Sequence, residues 1–127
     1  MPGPFPYLPG FGPTQAPACR LRVTWNGRSE EIDALIDSGA SNTTIPEVIA
    51  KILNLRKVGE ELVGGAVTSQ REMRNLYVTN LDFLGLNFPS HPVFGLPKDY
   101  ALIGRDILNL YITTLHGPNQ QYSLNYQ

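Results

Sequence analysis

The sequence predicts an all-β domain with one or two short helices. Three observations predict it. Arg20 to Trp25 alternates polar and apolar residues, and Asn26-Gly27 then offers a two-residue hairpin turn before a return strand. From Glu60 to Phe83, and again at Tyr111 to Leu115 and Tyr122 to Tyr126, strand-forming residues recur between turn residues. Helical spacing is confined to two short stretches, after Pro46 and after Gly104.

The elements follow in order. Met1 to Pro17 holds Pro2, Pro4, Pro6, Pro9, Pro13 and Pro17, with Gly3, Gly10 and Gly12 between them. Proline fixes φ and removes a donor, so this arm is neither a helix nor a central strand. It is expected to be extended and mobile, a linker or tail preceding a domain at residues 18–127. Phe5, Tyr7, Leu8 and Phe11 leave a second option, an arm packed on a partner chain or lying in a cleft. In the return strand, Ser29 to Ile36, residues Ile32, Ala34 and Ile36 share one face. Thr43 to Ile45 is a short strand. Pro46 is expected at the first helical position with Glu47 in the first turn, and Val48, Ile49, Ile52, Leu53 and Leu55 in a mostly buried helix. Leu84-Gly85-Leu86-Asn87 is a turn, and Phe88 to Phe94 a short strand broken by Pro89 and Pro92. Tyr100 to Ile103 is an apolar strand running into a short helix, Gly104 to Asn109. His116-Gly117-Pro118-Asn119 turns between the last two strands.

The 127 residues suffice for one domain with one core. A net charge of -1, without a basic stripe, points away from nucleic acid as a partner. Apolar runs are too short to span a bilayer, and no secretory pattern opens the chain, so the expectation is a cytoplasmic protein or a domain of a larger one. Cys19 is the single cysteine and reads as a small apolar residue; an interchain disulfide is the lesser option. Cys19, His91 and His116 are too few for a metal site, and no cofactor is expected.

The chemistry centres on Leu35-Ile36-Asp37-Ser38-Gly39-Ala40. Two apolar residues running into Asp-Ser-Gly form the pattern of an aspartic protease loop. Such an enzyme holds a water between two carboxylates. One takes the water's proton, and the other donates to the carbonyl under attack. This pair must share one proton, because two close carboxylates do not both ionise. The chain has the loop once, so a second copy is expected to supply the second Asp37. Ser38 has a hydroxyl to bond across the two-fold axis. Gly39 permits a sharp turn, and Ala40 leaves room for substrate. Asp-Ser-Gly is also an ordinary turn sequence. Ser38 or Ser41 as a nucleophile lacks an obvious base.

A second motif, Ala101-Leu102-Ile103-Gly104-Arg105-Asp106, an apolar run into Gly-Arg-Asp, follows the first at a plausible separation. With both in place, residues 20–126 resemble the retropepsin family of single-domain, homodimeric aspartic proteases, and the resemblance implies that the strands form a closed β-barrel with one or two short helices. Asp106-Ile107-Leu108 and Gly117-Pro118 resemble its cellular and bacterial branch more than the viral one. The resemblance implies catalysis by Asp37, loop support from Ser38, Gly39 and Ala40, and a structural role for Gly104, Arg105 and Asp106. It implies a substrate-covering flap within Leu62 to Leu76, with Gly64 and Gly65 giving flexibility and Val67 to Arg71 at the tip. Val67 and Ile103 would then line the substrate site. Viral members carry an acidic residue where Ser41 and Asn42 stand here, which leaves Asp106 or Asp99 as the expected partner of Arg105.

These readings converge on an endopeptidase acting on extended peptides as a homodimer. The alternative is a peptide-binding or dimerisation module that keeps the fold without turnover. A self-processing domain of a longer protein is a third form of the same reading. The dimer interface is left between a shared sheet through Tyr122 to Tyr126 and an interface elsewhere.

Overall fold

The computed structural model describes residues 3–64 and 71–126. β2 (Ala18–Trp25) and β3 (Arg28–Ile36) form the expected hairpin. Asn26 and Gly27 both take positive φ, 51° and 76°, as a twist-matched two-residue turn demands. Arg20 stands opposite Asp33 and Arg22 opposite Glu31, and both pairs are bonded. Each pair is half exposed, so this contributes little to stability.

β4 (Thr44–Pro46) leads into α1 (Glu47–Ile52), and β5 (Lys57–Gly64) pairs back on β6 (Arg71–Phe83). β7 (Leu86–Leu96) returns along β6 after Leu84 and Gly85, again both at positive φ. β8 (Ala101–Ile103) runs through Gly104 into α2 (Arg105–Leu108). β9 (Ile112–His116) and β10 (Gln121–Asn125) complete the chain.

Strands β2, β3, β8, β4, β7 and β6 pair in that order, and β6 pairs again with β2. The sheet therefore closes into the expected barrel, which has six strands, with β5 outside on β6. Leu21, Val23, Ile45, Leu81, Val93, Ile103 and Ile107 fill it with no exposed surface. Each contributes about 1.5–3 kcal/mol by leaving water. Cys19 lies in this core, and burial pushes its thiol up to about 12.

A second, three-stranded sheet has the order β1-β10-β9, where β1 is Phe5–Pro6. Tyr122 of β10 is fully buried, and its hydroxyl donates to the Ala18 carbonyl at 2.8 Å. Phe5 and Tyr7 pack on its ring, and Phe11 meets the Tyr100 ring edge-on. The arm is thus extended but lies on its own chain rather than projecting as a tail. Its aromatics bury against the domain, and its prolines are tolerated because β1 is a two-residue edge strand.

Three other expectations differ in detail. β7 is continuous across Pro89 and Pro92. A bulge sets Asn80 against residues 89–90, where the Asn80 side chain accepts from the Ser90 N–H, and at Pro92 the strand has β6 alone beside it. Prolines fit where no ladder donor is required. Pro46 ends β4 and caps α1 rather than entering the helix. Val48 and Ile52 are not buried: they lie one turn apart on the outer face, 57% and 43% exposed, while Ile49, Ala50 and Leu53 face inward.

Candidate active site

Asp37 leaves the end of β3 where that strand runs parallel to β8, with Leu35 beside Leu102 and Ile36 beside Ile103. The Asp37 N–H donates to the Ile103 carbonyl at 3.0 Å, so the ladder reaches the carboxylate-bearing residue itself. The chain then turns. Ala40 N–H donates to Asp37 O at 3.2 Å, and Gly39 N–H donates to Asp37 Oδ1 at 2.9 Å. The second of these is an Asx turn, which explains Asp followed by two small residues. Gly39 is needed for space more than for φ, since a methyl there would stand 3.1 Å from Asp37 Oδ1. Asp37 is half-buried, while Ser38 and Gly39 are exposed.

The second motif grips this loop from below. Arg105 N–H donates to Ala40 O and its guanidinium to Ser38 O, each at 2.8 Å. Gly104 passes so close to the loop that a methyl on it would lie 2.5 Å from the Asn42 carbonyl carbon and 3.0 Å from Ala40 O. Its φ of -96° suits any residue. Contact with backbone, not conformation, makes glycine necessary here.

Behind the crossing lies a polar relay that sequence reasoning did not find. Gly104 N–H donates to Thr43 Oγ1 at 3.1 Å, and the Thr43 hydroxyl donates to Asp106 Oδ1 at 2.8 Å. Asp106 Oδ1 also accepts from Ile107 N–H, and Oδ2 lies 2.9 Å from His91 Nε2. Burial raises the Asp106 pKa, but the bonds from His91 and Thr43 outweigh it and hold the carboxyl below the usual carboxylate range. Asp106 is therefore not the partner of Arg105. Adjacent residues on a helix do not face the same way, and among the described residues Arg105 is in no ion pair, with Asp99 or any other. His91 sits within β7. Thr43 opens the segment after the loop, but nothing in the sequence pairs it with residues 91 and 106.

The expected flap corresponds to the hairpin of β5 and β6, whose last described pair is Gly64 with Arg71. Gly65 and Val67, and the tip apart from Arg71, lie outside the described residues. Leu62 and Met73 stand directly opposite each other on this hairpin, 58% and 53% exposed. Its base is tied to α1. Glu47 accepts from the Tyr77 hydroxyl at 2.6 Å and from Asn75 Nδ2 at 3.0 Å, and Gly95 leaves room for the carboxylate. Ile103 does not line a substrate site through its side chain. It is fully buried in the barrel, and its carbonyl is what meets the loop.

Asp37 thus stands on a turn that leaves β3 and is held by the Ile103 carbonyl, by its own Gly39 N–H and, through Ser38 and Ala40, by Arg105. The chain belongs to the aspartyl protease family: that family's model matches residues 21–107, which include the Asp37 loop and the Gly104 crossing. Solved structures agree. The simian foamy virus (mac) protease in solution matches with a TM-score of 0.55 at 20% identity, over 72% of this chain and 91% of that one. The foamy viral protease–reverse transcriptase in complex with an RNA/DNA hybrid matches with a TM-score of 0.55 at 25% identity, over 73% of this chain but 12% of that one. The fold is thus the retropepsin-like one. A curated relative, geranylgeranylglyceryl phosphate synthase of Sulfolobus acidocaldarius, is 45% identical over 47 residues. That stretch is 37% of this chain and 18% of the synthase, too small a share to carry an activity.

Proposed function

We propose that the chain is an aspartic endopeptidase in which two copies of Asp37, one from each protomer of a homodimer, hold and activate a water. The observation that carries this reading is the Asp37 loop itself, one carboxylate per chain, fixed by Ile103 O and Gly39 N–H and open to solvent on its other side. One carboxylate alone has no partner with which to share a proton, so the reaction requires the second copy. A peptide would bind extended, as an added strand under the β5–β6 hairpin. Leu62 and Met73 give that hairpin apolar surface to present. No helix among the described residues is long and apolar enough to cross a membrane.

The test is cleavage of an unfolded protein between about pH 4 and 7, where a carboxylate dyad shares its proton. Wild type should cleave, with a rate rising faster than linearly with enzyme concentration. Asp37→Asn should lose at least about 10²–10⁴-fold, the usual contribution of a positioned acid–base group. Equal rates from both proteins would refute the assignment. Peptide binding by both without cleavage by either would favour a binding module.

A further inference from the structure

Strand β7 changes face in mid-course, and the change brings His91 inward. On β6, Tyr77, Thr79 and Leu81 alternate with their neighbours and are all buried. Their partners on β7 are Val93, His91 and Phe88. Val93 and His91 keep the strand's alternation, but an extra residue stands between His91 and Phe88. Without it, strict alternation from Phe88 would turn Ser90 inward and His91 out to solvent. The insertion is held in place. Ser90 takes a positive φ of 49°, uncommon for a residue with a side chain, and its N–H donates to Asn80 Oδ1 at 2.9 Å. Bulges re-aim side chains, and this one aims His91 at α2.

There His91 meets the machinery behind the Asp37 loop. Its Nε2 lies 2.9 Å from Asp106 Oδ2, and the two side chains are only 17% and 21% exposed. An ionised carboxylate can only accept, so Nε2 carries the proton. The other Asp106 oxygen accepts from the Thr43 hydroxyl, which itself accepts from Gly104 N–H. From here the relay reaches the loop on two sides. Thr43 is where the loop ends, and its carbonyl accepts from Phe94 N–H at 3.3 Å. Gly104 leads into Arg105, which holds Ser38 O and Ala40 O.

We infer that His91 is a positioning residue for Asp37. It touches no reacting atom. By donating to Asp106 it keeps that carboxylate turned toward Thr43, and so fixes the height at which the loop carries Asp37. The consequence for rate rests on the reading of Asp37 as the catalytic carboxylate; the consequence for the loop does not.

The full chain tests this with four substitutions. His91→Leu removes the donor at similar volume, and His91→Asn keeps a polar side chain too short to reach Asp106. His91→Gln returns an N–H to the place of Nε2, and Thr43→Val cuts the relay at its middle. His91→Leu and His91→Asn should each lower kcat at least about tenfold with KM within about twofold, as expected when the reacting group is misplaced and binding is kept. His91→Gln should recover most of the rate. In the Thr43→Val background, His91→Leu should cost less than about a further twofold, because both changes break one chain of bonds. Independently of cleavage, the Gly104 and Arg105 amides should exchange at least about tenfold faster in His91→Asn, while the β2–β3 ladder keeps its rates. Should His91→Leu fail to fold, His91→Asn and His91→Gln carry the comparison. A kcat in His91→Asn within about twofold of wild type, no rescue by His91→Gln, or unchanged exchange at Gly104 and Arg105 overturns the inference. Exchange quickened throughout the chain overturns it too, since that is a general loss of stability. Faster exchange confined to the crossing, with no cleavage by wild type, would leave His91 as the residue that positions the loop and remove the protease reading.

Discussion

Asp37 and Asp106 stand on opposite sides of the same crossing and are held in opposite ways. Asp106 is enclosed: Thr43, Ile107 N–H and His91 occupy its oxygens, and its pKa is pulled down. Asp37 takes one bond from its own loop, through Gly39 N–H, and keeps the rest of its carboxylate open. A carboxylate that positions backbone is saturated by its own chain. One that does chemistry keeps acceptor capacity for a water and a second carboxylate. Both residues are half-buried, so saturation of the carboxylate rather than exposure separates them.

Gly104→Ala should break the comparison most severely, because it forces the two sides apart. The added methyl meets Asn42 backbone, which has no rotamer to yield. A loss of about 3 kcal/mol is expected, at the upper end for overpacking, and chemical denaturation would measure it. A loss under about 1 kcal/mol would mean that the crossing is looser than its geometry.

Next in size is Asp106→Asn, expected to lose about 1–3 kcal/mol by weakening a charge-assisted network. Asp37→Asn should change stability by less than about 0.5 kcal/mol. The two also differ in pH response. Asp106 has a folded-state pKa below its unfolded value, so its contribution is fully present above the ordinary carboxylate pKa of about 3.9. It is lost as pH falls through the lowered value. Melting temperatures between about pH 2 and 6 should therefore fall less steeply on acidification for Asp106→Asn than for wild type. Parallel curves would show that the relay does not stabilise the ionised form.

The smallest effect should come from α1, where Val48→Lys alters a side chain on the outer face. A change within about 0.5 kcal/mol is expected in the same denaturation experiment. A larger loss, particularly one dependent on protein concentration, would place α1 in an interface.

Much of this was legible in one dimension. Asn26-Gly27 announces a hairpin because few residue pairs tolerate two positive φ values in succession, whereas at the next hairpin Gly85 marks only a turn and the positive φ of Leu84 has no sequence signal. The Asp37 loop is legible because an Asx turn needs Asp and small neighbours within a few residues. Gly104 belongs to a recognisable motif, yet its reason, an approach to Asn42 some sixty residues away, is spatial. His91 carried no signal, since its meaning is a distance to Asp106 set by where β7 lies on α2. The outward face of α1 was misjudged because apolar residues on both sides of a six-residue helix do not say which side meets the barrel.

The strand-rich class, the hairpins, the two motifs and the single Asp-Ser-Gly loop were set by neighbours within a turn or a strand and so were readable from the sequence alone. Tertiary structure decided the rest. It closed the barrel through β2 and β6 and seated the proline-rich arm on β10. It also joined Thr43, His91 and Asp106 into one relay. Those outcomes depend on which edges find partners and which polar groups lose water together. Such contacts are made between residues far apart in the chain, and no local pattern encodes them.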